Sequence, residues 1–275
     1  MTFVHSVDRS LLVPVTCDDL VRLGSPNDGG YVVPARAIEQ ATTLLSFGLE
    51  KNWAFEQAAA RLNPRMAVQV YDPSVRRDDF LEQGARSAVS VPLRFLSFSL
   101  SGARSSYRRV RQAADYFAFF RGRVRHHERR VWYNADRGSE SIDAILDACS
   151  PATPRSVFAK IDIEGTEYRV LPAIIERAEL FTGLAIEFHD TDICANTFNV
   201  QLRRLRQCFD VVHVHGNNYG DLSIDGGLPL TLEMSFLHRC LFVAPPAPYR
   251  GPLPRPELDA PNDVRRPDYT LDLSA

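Results

Sequence analysis

Three ionisable side chains stand in a stretch that otherwise reads as buried strand: Lys160, Asp162 and Glu164 in Ser156–Gly165, SVFAKIDIEG. Alternation places Phe158, Lys160, Asp162 and Glu164 on one side and Val157, Ala159, Ile161 and Ile163 on the other. A central parallel strand is normally apolar on both faces. Charges buried there cost several kcal/mol unless they are paired or coordinated. Either a Lys160–Asp162 ion pair is purely structural, or these groups serve a ligand site at the carboxyl end of the strand.

Further polar residues fall where strands end. Ser46–Glu50 (SFGLE) closes an early apolar run. Gly48 there permits close approach of a ligand to the backbone, and the helix that follows offers free N–H groups. Asp72 ends the next strand, where an acid can accept hydrogen bonds from ribose hydroxyls; it is equally a turn residue before Pro73. Glycine after one strand and acid after the next suit an adenosine-bearing cofactor. Upstream, Arg22–Pro34 (RLGSPNDGGYVVP) carries a tight-turn signature at Asn27–Gly30, which is either a plain hairpin or a loop that closes over a cofactor. Glu187 and His189 share a face of one later strand, and His213, His215 and Asn217 share a face of another. If the sheet is parallel, Asp162, Glu187 and His215 converge. Two carboxylates and an imidazole suit a divalent cation such as magnesium or manganese. Without a metal, His189 or His215 could act as a general base. Lys160, Asp162, His189 and His215 are therefore the catalytic candidates.

The elements that must position these residues alternate between strand and helix. Strand-like segments are Thr43–Gly48, Ala67–Asp72, Ser87–Leu96, Val157–Ile163, Leu184–His189, Asp210–His215 and Leu232–Val243. Helical spacing marks Trp53–Leu62, Arg76–Gly84, Ser141–Cys149 with a serine cap, Thr166–Ala178 and Thr197–Cys208. Repeated βα units imply a mostly parallel sheet with helices on both faces. The expected organisation is one domain over residues 1–243 with an Arg- and aromatic-rich insertion at 97–137, read as a helical lid or a solvated helix. A Pro-rich arm follows over 244–275.

Composition narrows the class. The chain of 275 residues is 45% hydrophobic, enough for a full core. A net charge of −2 gives no indication of nucleic-acid binding. Lys51 and Lys160 are its only lysines. Five scattered cysteines without a CxxC pair suit free thiols in a reducing compartment. No signal peptide or membrane-spanning run is visible, so a cytoplasmic enzyme or binding domain is expected. The arm and the aromatic insertion could both make homo-oligomer contacts.

Taken in order, RLGSPNDGGYVVP, LSFGLEKNWAFE, VYDPS, AKIDIEGTEYRVLPAI, LAIEFHD and HVHGNNYG resemble the FkbM-type family of S-adenosylmethionine-dependent methyltransferases. The resemblance runs from about Arg22 to the arm near Asn262. SFGLE departs from the glycine-rich ExGxGxG of many methyltransferases. The resemblance implies a Rossmann-like class I fold, an α/β seven-stranded sheet whose last strand is antiparallel. It implies methyl transfer to a hydroxyl of a sugar, glycan or natural product. Gly48 and Glu50 would line the methionine side of the cofactor and Asp72 the ribose, with Asp28 and Tyr31 in a nearby loop. Some relatives look metal-dependent through acids that here would be Asp162 and Glu187. Two other classes remain: a non-catalytic cofactor- or nucleotide-binding module, and a metal hydrolase built on His213-x-His215.

Overall fold

The computed structural model describes residues 6–96, 100–149, 153–224 and 227–273. A hairpin of β1 (Leu20–Gly24) and β2 (Gly30–Pro34) leads through α1 (Ala35–Gln40) into β3 (Thr43–Phe47). Then follow α2 (Ala54–Leu62), β4 (Ala67–Tyr71), α3 (Arg77–Leu96), α4 (Leu100–Phe119) and β5 (Val124–His127). The short pair β6 (Arg130–Trp132) and β7 (Ser139–Ser141) precedes α5 (Ile142–Cys149), whose N–H at Ala144 is capped by Ser141 Oγ at 3.1 Å. The second half runs β8 (Val157–Ile161), α6 (Glu167–Glu176), β9 (Phe181–Phe188), α7 (Ala195–Leu205), β10 (Phe209–Gly216) and β11 (Leu232–His238).

The main sheet has seven strands in the order β10-β11-β9-β8-β3-β4-β5. Every neighbouring pair is parallel except the two made by β11. The expected Rossmann-like architecture, with helices on both faces and an antiparallel last strand, is thus the observed one. Strand alternation divides its core in two. Leu45, Phe47, Val157, Ala159 and Ile161 pack with α5, α6 and α7 on one face. Leu44, Val68, Val70 and Phe158 pack with α1, α2 and α4 on the other.

Two segments differ from the sequence reading. Ser87–Leu96 was expected to be a strand, but its backbone continues α3 as helix. The helical pattern begun at Arg77 runs on through it without a break. The strand that borders the sheet is instead Val124–His127, inside the supposed insertion, paired with β4. The Pro-rich arm lies across the domain. Asn27 Nδ2 donates to Pro261 O at 2.9 Å, and Asn218 Nδ2 donates to Asp263 O at 3.1 Å.

Candidate active site

The carboxyl ends of β3 and β8 meet closely. Gly48 has φ +87°, and a Cβ there would lie 1.7 Å from the carbonyl oxygen of Asp162. Glycine at this position is therefore required by the neighbouring backbone. The chain then turns through Glu50 (φ 52°) and Lys51 (φ 104°), and the loop after β8 turns through Glu164 (φ 52°) and Gly165 (φ 86°). Left-handed conformations at non-glycine residues are costly and collect at functional loops.

Between these loops lies a pocket of about 490 Å³, lined among others by Asp28, Glu50, Lys160, Asp162, Glu187 and His189. That volume lies within the range of small-molecule and cofactor sites. It opens outside the carboxyl ends of the parallel strands, where α/β folds bind ligands. Lys160 Nζ donates to Gly48 O at 2.9 Å and to Asp162 Oδ2 at 3.0 Å. Tyr31 donates to the same oxygen at 2.8 Å. Burial alone would raise the Asp162 carboxyl, but the Lys160 ammonium and hydrogen bonds from Glu187, Lys160 and Tyr31 hold it down to about 2. Glu187 goes the other way. Burial and the Asp162 charge push it well above the carboxylate range, so it carries the proton of the pair. Asn217 Nδ2 fixes Glu187 by donating to Oε1 at 2.7 Å. Asp28 and Glu50 are both raised, first by burial and then, in part, by neighbouring carboxylates.

His189 is held on its inner side. Its Nδ1 donates to Glu167 Oε1 at 2.9 Å, and the same oxygen accepts the backbone N–H groups of Ile163 and Gly165 at 3.1 Å each. Its Nε2 lies 3.5 Å from Glu164 Oε2. Burial works against the imidazolium, yet the bond to Glu167 and the charges of Glu167 and Glu164 raise the His189 pKa. Asp162, Glu164 and His189 offer ligand atoms all within 4.8 Å of one another. Asp162 Oδ2 also serves Lys160 and Tyr31. Two carboxylate oxygens and an imidazole nitrogen are a donor set that fits a hard or borderline divalent cation.

The structure brings Asp28, Glu50, Lys160, Asp162, Glu187 and His189 to one pocket. Tyr31 does not line the pocket but bonds two residues that do, Asp162 and, at 3.3 Å, Glu187. Gly48 does not line it either, but abuts the Asp162 carbonyl directly before the lining residue Leu49. Asp72 does not line it. Its carboxylate accepts the N–H groups of Leu49 at 2.7 Å, Glu50 at 2.9 Å and Ser74 at 2.6 Å, which fixes the loop carrying Glu50. His215 is not brought to Asp162 and Glu187. Antiparallel β11 lies between β9 and β10, and in register Glu233 stands between Glu187 and His215. Two strand spacings, about 10 Å, separate the two. Both ring nitrogens of His215 are engaged, with Glu233 at 3.1 Å and with Asp268 of the arm at 3.0 Å. Those partners raise it to about 10 against the opposing effect of burial. His213 likewise donates to Asp259 of the arm at 3.1 Å. The residues that the sequence reading does not single out include Glu167, Glu233 and, in the arm, Asp259 and Asp268. Glu167 carried one signal, an acid in the first turn of a helix after a Gly-Thr turn.

Strands in this order and these directions define a Rossmann-like class I methyltransferase fold. No protein-family model and no curated protein matches the sequence. Among solved structures, three show a distant likeness to this chain. Fibrillarin, a pre-rRNA processing protein of Methanococcus jannaschii, is 9% identical over 74% of this chain and 68% of that one, with TM-score 0.36. A precorrin-6y C5,15-methyltransferase of Geobacter metallireducens is 10% identical over 73% and 82%, with TM-score 0.34. An O-methyltransferase of Bacillus cereus in complex with SAH is 12% identical over 73% and 76%, with TM-score 0.34. At such identity these likenesses carry no residue roles, and the class rests on the strand order.

Proposed function

We propose that the chain is an S-adenosylmethionine-dependent O-methyltransferase acting on a hydroxyl of a small molecule or glycan, as the FkbM-type resemblance implies. The observation that carries this reading is the acidic pocket at the ends of β3, β8 and β9 of the class I sheet. Bound S-adenosylmethionine supplies a sulfonium methyl already activated for transfer. Glu50 and Asp28 meet the positive charge of that ligand, and Asp72 holds the Glu50 loop in place. Gly48 and the left-handed turn after it keep the backbone close to the methionine side.

The acceptor hydroxyl sits near His189 and Asp162. His189, oriented by Glu167 through Nδ1, removes the hydroxyl proton at Nε2. Ionised Asp162 orients the hydroxyl, and Lys160 keeps Asp162 ionised. Holding acceptor and donor in line supplies most of the rate advantage. Asp162, Glu164 and His189 would hold a magnesium or manganese ion in a metal-assisted version, where the ion would lower the pKa of the acceptor hydroxyl.

The test is transfer of a labelled methyl group to a panel of sugars and polyhydroxylated natural products, with and without magnesium. Wild-type protein should label at least one, and folded Asp162→Asn should not. Equal labelling by the two proteins would sink the role of Asp162.

A further inference from the structure

We infer that a second pocket, beside the first, binds a phosphate-class anion. It has a volume of about 280 Å³ and lies between the loop after β3, the start of α3, and α4. Lys51, Arg76 and Arg109 line it together with Gln83 and Gln112, and among the described residues the single carboxylate in its lining is Asp79. Three cations thus face one acid. None of the three has a side-chain ion pair or hydrogen bond among the described residues. They come from three separate segments of the chain, which is unlike the scatter of charge along one solvated helix face.

The backbone builds the arrangement. Glu50 and Lys51 are consecutive left-handed residues, and Glu50 lines the acidic pocket while Lys51 lines the basic one. The loop is a partition between cavities of opposite sign. Gln112 Nε2 donates to Lys51 O at 3.2 Å, tying α4 to that partition. Helices α3 and α4 approach closely at Gly84, where a Cβ would lie 3.1 Å from the Ala113 Cβ. That contact draws Arg109 and Gln112 of α4 toward Asp79 and Gln83 of α3.

A phosphate suits this pocket chemically. Arginine forks donate paired, charge-assisted hydrogen bonds to its oxygens, and the lysine adds a point charge. The glutamine amides supply neutral donors. The acidic pocket next door repels such a group, so an anionic part of any ligand is directed here. The phosphate could be carried on a larger hydroxylated molecule that reaches over the partition, or be free in solution. This site stands on its own residues and does not depend on methyl transfer.

The test is titration of the full chain, without S-adenosylmethionine, at low salt. One arm uses inorganic phosphate and the other glucose 6-phosphate, each read by calorimetry. Saturable binding of at least one is expected. Arg76→Ala with Arg109→Ala should weaken it about tenfold or more, the scale of one lost charge-assisted bond. Both side chains are exposed, and an unchanged circular-dichroism melt would show that the fold survives. Arg108→Ala, on the same helix but outside the pocket, should leave binding intact. Glucose 6-phosphate binding as tightly as phosphate indicates a group carried on a larger molecule; phosphate alone binding indicates the free anion. No saturable binding in either arm overturns the site, as does an equal loss in Arg108→Ala.

Discussion

At the scale of single residues, the site depends on a buried ammonium among carboxylates. Lys160 is 5% exposed and serves Asp162 and the Gly48 carbonyl together. Lys160→Met would leave ionised Asp162 in a buried acidic setting, a loss of about 3–5 kcal/mol. Urea denaturation followed by circular dichroism should show that loss as a lower midpoint, and an unchanged midpoint would mean the ion pair is dispensable. Tyr31→Phe removes one donor to Asp162 and should cost less, about 1–2 kcal/mol by the same measurement. Much of this site was legible in the sequence, because a charge in an apolar strand demands a partner. Glu167 was not, since its role depends on a turn that carries its carboxylate back to the Ile163 and Gly165 amides and to His189.

At the scale of elements, the junction of β3 and β8 tolerates no side chain. Gly48→Ala adds both a clash with the Asp162 carbonyl and a disfavoured φ. We expect a loss of about 4 kcal/mol or more, read as a large fall in the melting temperature. A melt within a degree or two of wild type would show that the strands part easily. The strand-to-helix alternation was readable along most of the chain, and the exceptions have physical causes. Val124–His127 hid among arginines because it is a polar strand at the sheet edge. His215 would meet Glu187 only on adjacent parallel strands, whereas β11 inserts between them. Its partner Asp268 lies 53 residues further on, in an arm with no periodic signal. Because His215 is raised to about 10, it stabilises the docked arm fully below its ordinary 6.5. That contribution falls as pH rises from there and is gone above about 10. Asp268→Asn should therefore lower the melting temperature most near pH 6 and least near pH 10. A difference from wild type that grows with pH would contradict this linkage.

At the scale of the whole molecule, the sheet collects its polar strand ends at one rim, and the loops there separate an acidic pocket from a basic one. The arm closes over the adjoining edge, where Asn262 Nδ2 reaches Asp28 at 3.3 Å and Glu233 at 2.6 Å. The class of fold follows from strand order, while the identity of the acceptor depends on pocket surfaces that no local sequence pattern encodes. The central claim is that the acidic pocket receives S-adenosylmethionine. Calorimetric titration of the purified chain with S-adenosylmethionine and with its demethylated product tests it most directly. Saturable binding of both is expected, weakened about tenfold by Glu50→Gln through loss of one charged contact. Absence of binding by either compound to the folded protein would contradict the claim.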